Sequence, residues 1–244
     1  MSNVIKSTLK RIVKVWPWPV TANERYDRQT EAVLKKVCKP DMACIDIGCY
    51  KGEILSLMQK YAPNALHIAF EPIPQQYQLL QNKFGKHATI YPFALGDENK
   101  ESTFNFVVSN PTYSGLKKRT YKGEENIDEI KVQVRQLDQV VPTDIPIRVI
   151  KIDVEGGEYD VLRGGVSLLK KWRPYLIFEH GIGGADKYGA SPGDVYRFLV
   201  KELGYTICLM EDFLQHEKVK GFSLAEFEDQ FWKGKNCYFL GIAG

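Results

Sequence analysis

The stretch Ala43-Cys44-Ile45-Asp46-Ile47-Gly48-Cys49-Tyr50-Lys51-Gly52 decides how this chain folds. A short apolar run after Lys39-Pro40 reads as a buried strand, and it opens directly into a tight glycine loop. Gly48 and Gly52 let the backbone turn sharply toward a helix and let a ligand approach the main chain with no Cβ in the way. Working outward, residues 28–37 read as a helix before this strand. After it come a helix over 54–60, a strand over 67–70, a helix over 73–84 and a strand over 88–92. The text then turns extended and polar, with pieces at 102–108 and 131–134 that read as an inserted hairpin. Buried strands at 148–152 and 175–178 follow, with helices over 158–169 and 192–203, and strands over 205–210 and 236–242 close the chain. This alternation predicts a single α/β domain, a mostly parallel sheet covered by helices, with its ligand crevice at the carboxyl ends of the strands.

The bulk composition agrees with a globular chain: 244 residues, 44% hydrophobic and 26% charged, with no low-complexity tract or repeat. A net charge of only +3, spread among acids, gives no field for nucleic acid. The five cysteines (38, 44, 49, 208 and 237) form no zinc spacing, which points to a reduced, cytoplasmic chain. No apolar run reaches the roughly 18 residues that span a bilayer, and the N-terminus lacks a signal-peptide pattern. Residues 4–18 are basic with interleaved aliphatic side chains. A surface helix packed on the domain is the preferred reading, and weak peripheral contact with an anionic membrane is the alternative. Nothing in the sequence specifies an oligomeric state.

Glu71 stands just after the second strand, where a carboxylate can accept both hydroxyls of a ribose. A nicotinamide dinucleotide would need G-x-G-x-x-G, whereas this loop is spaced G-x-x-x-G. Asp46 would repel a pyrophosphate but could meet the cationic amino group of S-adenosylmethionine, so the methyl donor is the better ligand than NAD. Tyr113 and Lys117 imitate the Y-x-x-x-K of short-chain dehydrogenases, yet they fall in the polar insert and not on a helix. Asn110-Pro111-Thr112-Tyr113 imitates an adenine-methylating motif, but it lies away from the fourth strand's end and lacks the second proline.

At that end the chain reads Lys151-Ile152-Asp153-Val154-Glu155-Gly156-Gly157-Glu158. Asp153 and Glu155 should point into the crevice, while Glu158 also suits a helix N-terminus for its dipole alone. This stretch, followed by Val161-Leu162-Arg163-Gly164, resembles the FkbM family of methyltransferases. Asp46-Ile47-Gly48, Phe70-Glu71-Pro72, Ala94-Leu95-Gly96-Asp97, Leu137-Asp138, Arg173-Pro174 and Phe178-Glu179 fit the family's text in order. Cys49 and Tyr50 depart from it, standing where a small residue and Asn are usual.

The resemblance implies a class I methyltransferase fold: a Rossmann-like sheet of about seven strands with an antiparallel C-terminal strand. It also implies S-adenosylmethionine as donor, and O-methylation of a hydroxyl on a sugar or other small molecule. On that reading residues 1–38 form an N-terminal helical extension and 39–244 the donor-binding domain. The expected donor contacts are Asp46, Ile47, Gly48, Cys49, Tyr50, Gly52, Glu71, Pro72, Ala94 and Asp153. Tyr26 and Arg28 are candidates to reach the donor's carboxylate as a lid. His180, just after the fifth strand, is nominated as the base that takes the hydroxyl proton, and Glu155 is the second catalytic candidate. In the less favoured mechanism Asp153 and Glu155 hold Mg²⁺, and the metal lowers the hydroxyl pKa. A module that binds the donor or a partner without catalysis is the reading from another class.

Overall fold

In the computed structural model, which describes residues 21–121 and 123–244, the chain opens with helix α1 (Ala22–Val37). Thr21 caps it, its hydroxyl accepting the Glu24 N–H at 3.2 Å, and Lys39-Pro40 ends it. The helix therefore starts six residues before the periodic run that announced it. The expectations for residues 4–18 lie outside the described residues.

Strand β1 (Ala43–Ile47) is buried along its whole length. It leads through the glycine loop into α2 (Glu53–Tyr61), and β2 (His67–Phe70), α3 (Pro74–Phe84) and β3 (Ala88–Tyr91) follow. Pro92 separates β3 from β4 (Phe93–Leu95), which leaves the main sheet and pairs in parallel with β6 (Ile127–Arg135). β5 (Lys100–Val107) pairs antiparallel with β6, so the expected hairpin is the larger part of a three-stranded sheet, β4-β6-β5. A short α4 (Leu137–Val140) returns to the main sheet at β7 (Ile147–Ile152). Next come α5 (Glu158–Arg163), α6 (Val166–Trp172), β8 (Tyr175–Glu179), α7 (Ala185–Tyr188) and α8 (Pro192–Tyr196), the last widening into a π turn as far as Glu202. β9 (Tyr205–Cys208), α9 (Met210–Gln215), α10 (Leu224–Trp232) and β10 (Tyr238–Ala243) complete the fold.

The main sheet has seven strands in the order β3-β2-β1-β7-β8-β10-β9. β10 runs antiparallel to both neighbours, and the pairs among β3, β2, β1, β7 and β8 are parallel. Strand order reverses between β1 and β7, and that switch point fixes where a crevice opens. Alternate residues serve opposite faces. Ile45, Ile47, Ile150 and Ile152 pack with the layer of α5, α6, α8 and α10, whereas Cys44, Val149, Ile177 and Leu240 pack against Tyr26, Val33 and Leu34 of α1. Strands covered on both faces read as unbroken apolar runs, which is why they were legible.

The expected single helix over 158–169 is two helices, and the reason is a close approach. A Cβ on Gly164 would stand 2.1 Å from the Gly96 carbonyl oxygen, so the chain breaks here to pack against the β4–β5 turn. The Asp138 carboxylate then takes the Ser167 and Leu168 N–H groups at 2.7 and 2.9 Å, which starts α6.

Candidate functional site

The carboxyl ends of β1, β2, β7 and β8, with the β4–β6 insert and the start of β10, enclose a cavity of about 1110 Å³. Ile47, Gly48, Cys49, Tyr50, Pro72 and Ala94 line it, together with Asp46, Glu71, Asp153 and Glu155. Tyr26 and Arg28 of α1 lie on its wall as well, with the Tyr26 ring 4.9 Å from that of Tyr238.

The glycine loop is shaped by contacts as much as by any ligand. Gly48 has φ +80, and a Cβ there would meet the Asp153 carbonyl oxygen at 1.9 Å, so glycine lets β1 and β7 close at their ends. Gly52, also at positive φ, does not line the cavity: a Cβ there would strike Phe84 at 2.3 Å, and its place in the expected contact set is corrected to helix packing against α3. Tyr50 takes a left-handed conformation, φ 47, unusual for a bulky residue. Its N–H donates to Glu71 Oε2 at 2.8 Å, while Ile73 N–H donates to Oε1 at 2.9 Å. Burial raises Glu71 to about 7, and those two N–H bonds work in the opposite direction.

Asp46 is fully buried, and neither of its carboxylate oxygens has a hydrogen-bond partner. Burial pushes its pKa up, and the Lys151 ammonium, 4.0 Å away, offsets part of that push. Lys151 lies closer to Asp153, 3.0 Å from Oδ2, and the same oxygen accepts the Tyr238 hydroxyl at 2.6 Å. Burial opposes the Asp153 charge, yet Lys151 and these hydrogen bonds outweigh it and hold the carboxyl below its ordinary range.

Three acids converge beside this pair: one carboxylate oxygen from each of Asp153, Glu155 and Glu179 lies within 4.8 Å of the others. Glu155, at φ 62, forms an ion pair with Arg119 of the insert. Glu179 ends β8, and burial together with the neighbouring Asp153 and Glu158 charges raises its pKa far above the ordinary range. Glu158 turns back on its own loop, Oε1 accepting the Val154 and Gly156 N–H groups, both at 3.0 Å, so it holds the acidic turn in shape.

His180 does not reach the cavity. Its ring is 1% exposed, 4.9 Å from Phe231 and 5.9 Å from Phe227 of α10, and neither nitrogen has a partner. Burial lowers it to about 4. The cause is strand alternation: Glu179 and His180 point to opposite sides, and Glu179 takes the crevice side. The residue-by-residue reading therefore missed Glu179, Arg119 and Tyr238 as site groups. Only Glu179 carried a signal, its place at a strand's carboxyl end.

The donor set fits one of two candidate groups and not the other. For S-adenosylmethionine it fits: the Asp46 carboxylate, whose oxygens accept no hydrogen bond and lie 4.0 Å from Lys151 at the nearest, suits an ammonium, and Glu71 keeps lone pairs beyond its two N–H bonds. For Mg²⁺ it does not, because Lys151 and Arg119 already hold Asp153 and Glu155.

A seven-stranded sheet in this order, with its switch-point crevice and one antiparallel strand near the end, is the class I methyltransferase fold. Methyltransferase FkbM from Methylobacillus flagellatus KT shares it, with a TM-score of 0.51 at 17% identity over 83% of this chain and 44% of that one. The Methyltransferase FkbM domain profile matches residues 46–207, and the chain belongs to that family of S-adenosylmethionine-dependent methyltransferases. Among curated relatives, the AMB antimetabolite synthetase AmbE of Pseudomonas aeruginosa is 28% identical over 242 residues, 83% of this chain and 10% of the synthetase. Methyltransferase 1 of Beauveria bassiana is 26% identical over 152 residues, 51% of this chain and 58% of that protein. The chain thus spans a tenth of one relative and under two thirds of the other. Among the described residues no helix is long and apolar enough to cross a membrane.

Proposed function

We propose that this chain transfers a methyl group from S-adenosylmethionine to a hydroxyl of a sugar or another small molecule. The observation that carries the reading is one continuous cavity joining Asp46 and Glu71 to the acidic group of Asp153, Glu155 and Glu179. At the first end Glu71 is fixed by backbone N–H bonds in the orientation a ribose diol needs, and Asp46 faces the donor's ammonium. S-adenosylmethionine, when bound, supplies a methyl carbon made electrophilic by its sulfonium. The protein's share of the work is to hold an acceptor oxygen about 3 Å from that carbon, in line with the leaving sulfur, and to receive its proton.

The second end of the cavity supports transfer over binding alone. A module that only bound the donor would have no use for a chamber walled by Tyr113, Arg119 and Tyr188 and floored by carboxylates. Hydroxyl-rich acceptors suit such a floor, because carboxylates accept hydrogen bonds from them. A nicotinamide dinucleotide would set its pyrophosphate against Asp46.

Calorimetric titration with S-adenosylmethionine, NAD run in parallel, tests the donor end. Glu71→Ala should weaken donor binding by about 10- to 100-fold, the loss of roughly 1.5–3 kcal/mol that a charged hydrogen bond carries. Donor affinity unchanged by the substitution would sink the assignment. Tritium transfer from labelled donor to a panel of monosaccharides and phenols tests the acceptor end.

A further inference from the structure

Of the three acids that converge here, two are held by cations. Asp153 Oδ2 accepts both Lys151 and Tyr238, and Glu155 is paired with Arg119. Glu179 is the third: it lines the cavity, and among the described residues no lysine or arginine forms an ion pair with it. The strand ladder fixes its position, since Glu179 and Tyr238 are direct partners across β8 and β10. The Tyr238 hydroxyl in turn donates to Asp153, and Glu179 shares a side-chain hydrogen bond with that same Asp153.

We propose that Glu179 is the catalytic base of the methyl transfer, receiving the acceptor's hydroxyl proton while Lys151 and Tyr238 hold the neighbouring Asp153 in its ionised form. This rests on the methyltransferase reading above. As the acceptor oxygen bonds to the methyl carbon, its proton passes to a Glu179 carboxylate oxygen, and the electron pair of the broken C–S bond stays with sulfur. The groups that face Glu179 are Asp153 just after β7, Glu158 from α5, Cys237 just before β10, Tyr238 from β10, and Arg119 from the insert. Burial and the two acids make the ionised form of Glu179 costly, and a carboxylate so placed holds a proton far more strongly than one in water. His180 lacks both requirements, access and partners.

The test compares wild type with Glu179→Gln, measuring donor affinity by calorimetry and tritium transfer to the monosaccharide and phenol panel. Glu179→Gln should keep donor affinity and lose transfer by about 10²–10⁴-fold, the usual worth of a general base. The loss should be larger for sugar hydroxyls than for phenols, which give up their proton near pH 10 and need less help. The wild-type rate should rise with pH as Glu179 sheds its proton, and Asp153→Asn should move that rise to lower pH. A purely structural role would move neither the acceptor dependence nor the pH profile. Transfer by Glu179→Gln within about threefold of wild type would overturn the proposal alone, being far short of what a base contributes. A wild type that binds no donor and labels no acceptor would overturn the functional reading and this proposal with it.

Discussion

His180 and Glu179 are neighbours in sequence with opposite surroundings: Glu179 lines the cavity, and His180, one residue past the end of β8, packs against α10. A histidine with both nitrogens unpartnered between Phe227 and Phe231 is a neutral packing group. Its pKa falls from 6.5 to about 4 through burial, so the unfolded chain binds the extra proton in the window between those values. The stability His180 contributes is complete above pH 6.5 and is lost as pH falls toward 4, up to about 3 kcal/mol at 1.36 kcal/mol per unit. Glu71 and Glu158, raised to about 7, act with the opposite sign, being stabilising below 4.5 and losing that contribution as pH rises through 7. The His180 part is isolated by comparing wild type with His180→Leu in urea unfolding from pH 7.5 to 4. The variant should gain on wild type as the pH drops and should retain methyl transfer. Loss of transfer beyond about tenfold with donor binding intact would restore His180 to the chemistry. His67 is the satisfied counterpart: Nδ1 accepts the Cys44 N–H at 3.0 Å and Nε2 lies 3.0 Å from the Ala62 carbonyl oxygen, tying β2 to β1.

At the scale of elements, the family-like text divides into site and scaffold. Asp46, Glu71 and Asp153 reach the cavity, while Gly96, Asp138, Gly164 and Arg173 assemble the helices around it. Gly164→Ala should destabilise the chain by about 1–3 kcal/mol, the usual cost of forcing an atom into a filled space, while leaving donor affinity of the folded protein unchanged. Thermal unfolding with and without donor checks this, and an unchanged Tm would contradict the 2.1 Å approach to Gly96. The central strands were legible because both their faces are buried. β4 was not, since three residues after Pro92 carry no periodicity, and the insert sheet draws one strand from outside the hairpin. α10 carried a readable sign in Ser223-Leu224-Ala225-Glu226, a capping box in which Glu226 N–H donates to the Ser223 hydroxyl at 3.3 Å. α7 and α9 are only four and six residues long, below what helical spacing can reveal. The same limit applies to the site. Position at or just past a strand's carboxyl end marked Asp46, Glu71 and Asp153, whereas Arg119 arrives from a polar loop whose docking depends on tertiary contacts alone.

For the molecule as a whole, charge is distributed against its net sign. The chain carries +3, yet beyond the strand ends its cavity gathers Asp46, Glu71, Asp153, Glu155 and Glu179 around Lys151 and Arg119, with Arg25, Arg28, Lys51, Lys83 and Lys235 elsewhere on the wall among Glu24, Asp27, Glu31 and Glu53. An acid-rich crevice suits a cationic sulfonium and at first sight suits a divalent metal equally. The two are separated by what the acids already hold. Mg²⁺ demands near-octahedral oxygen ligation at about 2.0–2.1 Å and would have to displace Lys151 from Asp153 or Arg119 from Glu155. Lys151 is buried, and its attraction to Asp153 and Asp46 raises its pKa despite that burial, so it keeps its charge and occupies the Asp153 oxygen that a metal ion would need. Methyl transfer should therefore be unchanged after exhaustive treatment with EDTA and should not be stimulated by added Mg²⁺. Label transfer from the tritiated donor, with and without chelator, measures this directly. A loss of more than about tenfold that Mg²⁺ restores would mean that the acids bind a metal, since a Lewis acid supplies several kcal/mol, and would transfer the acceptor's activation from Glu179 to that ion.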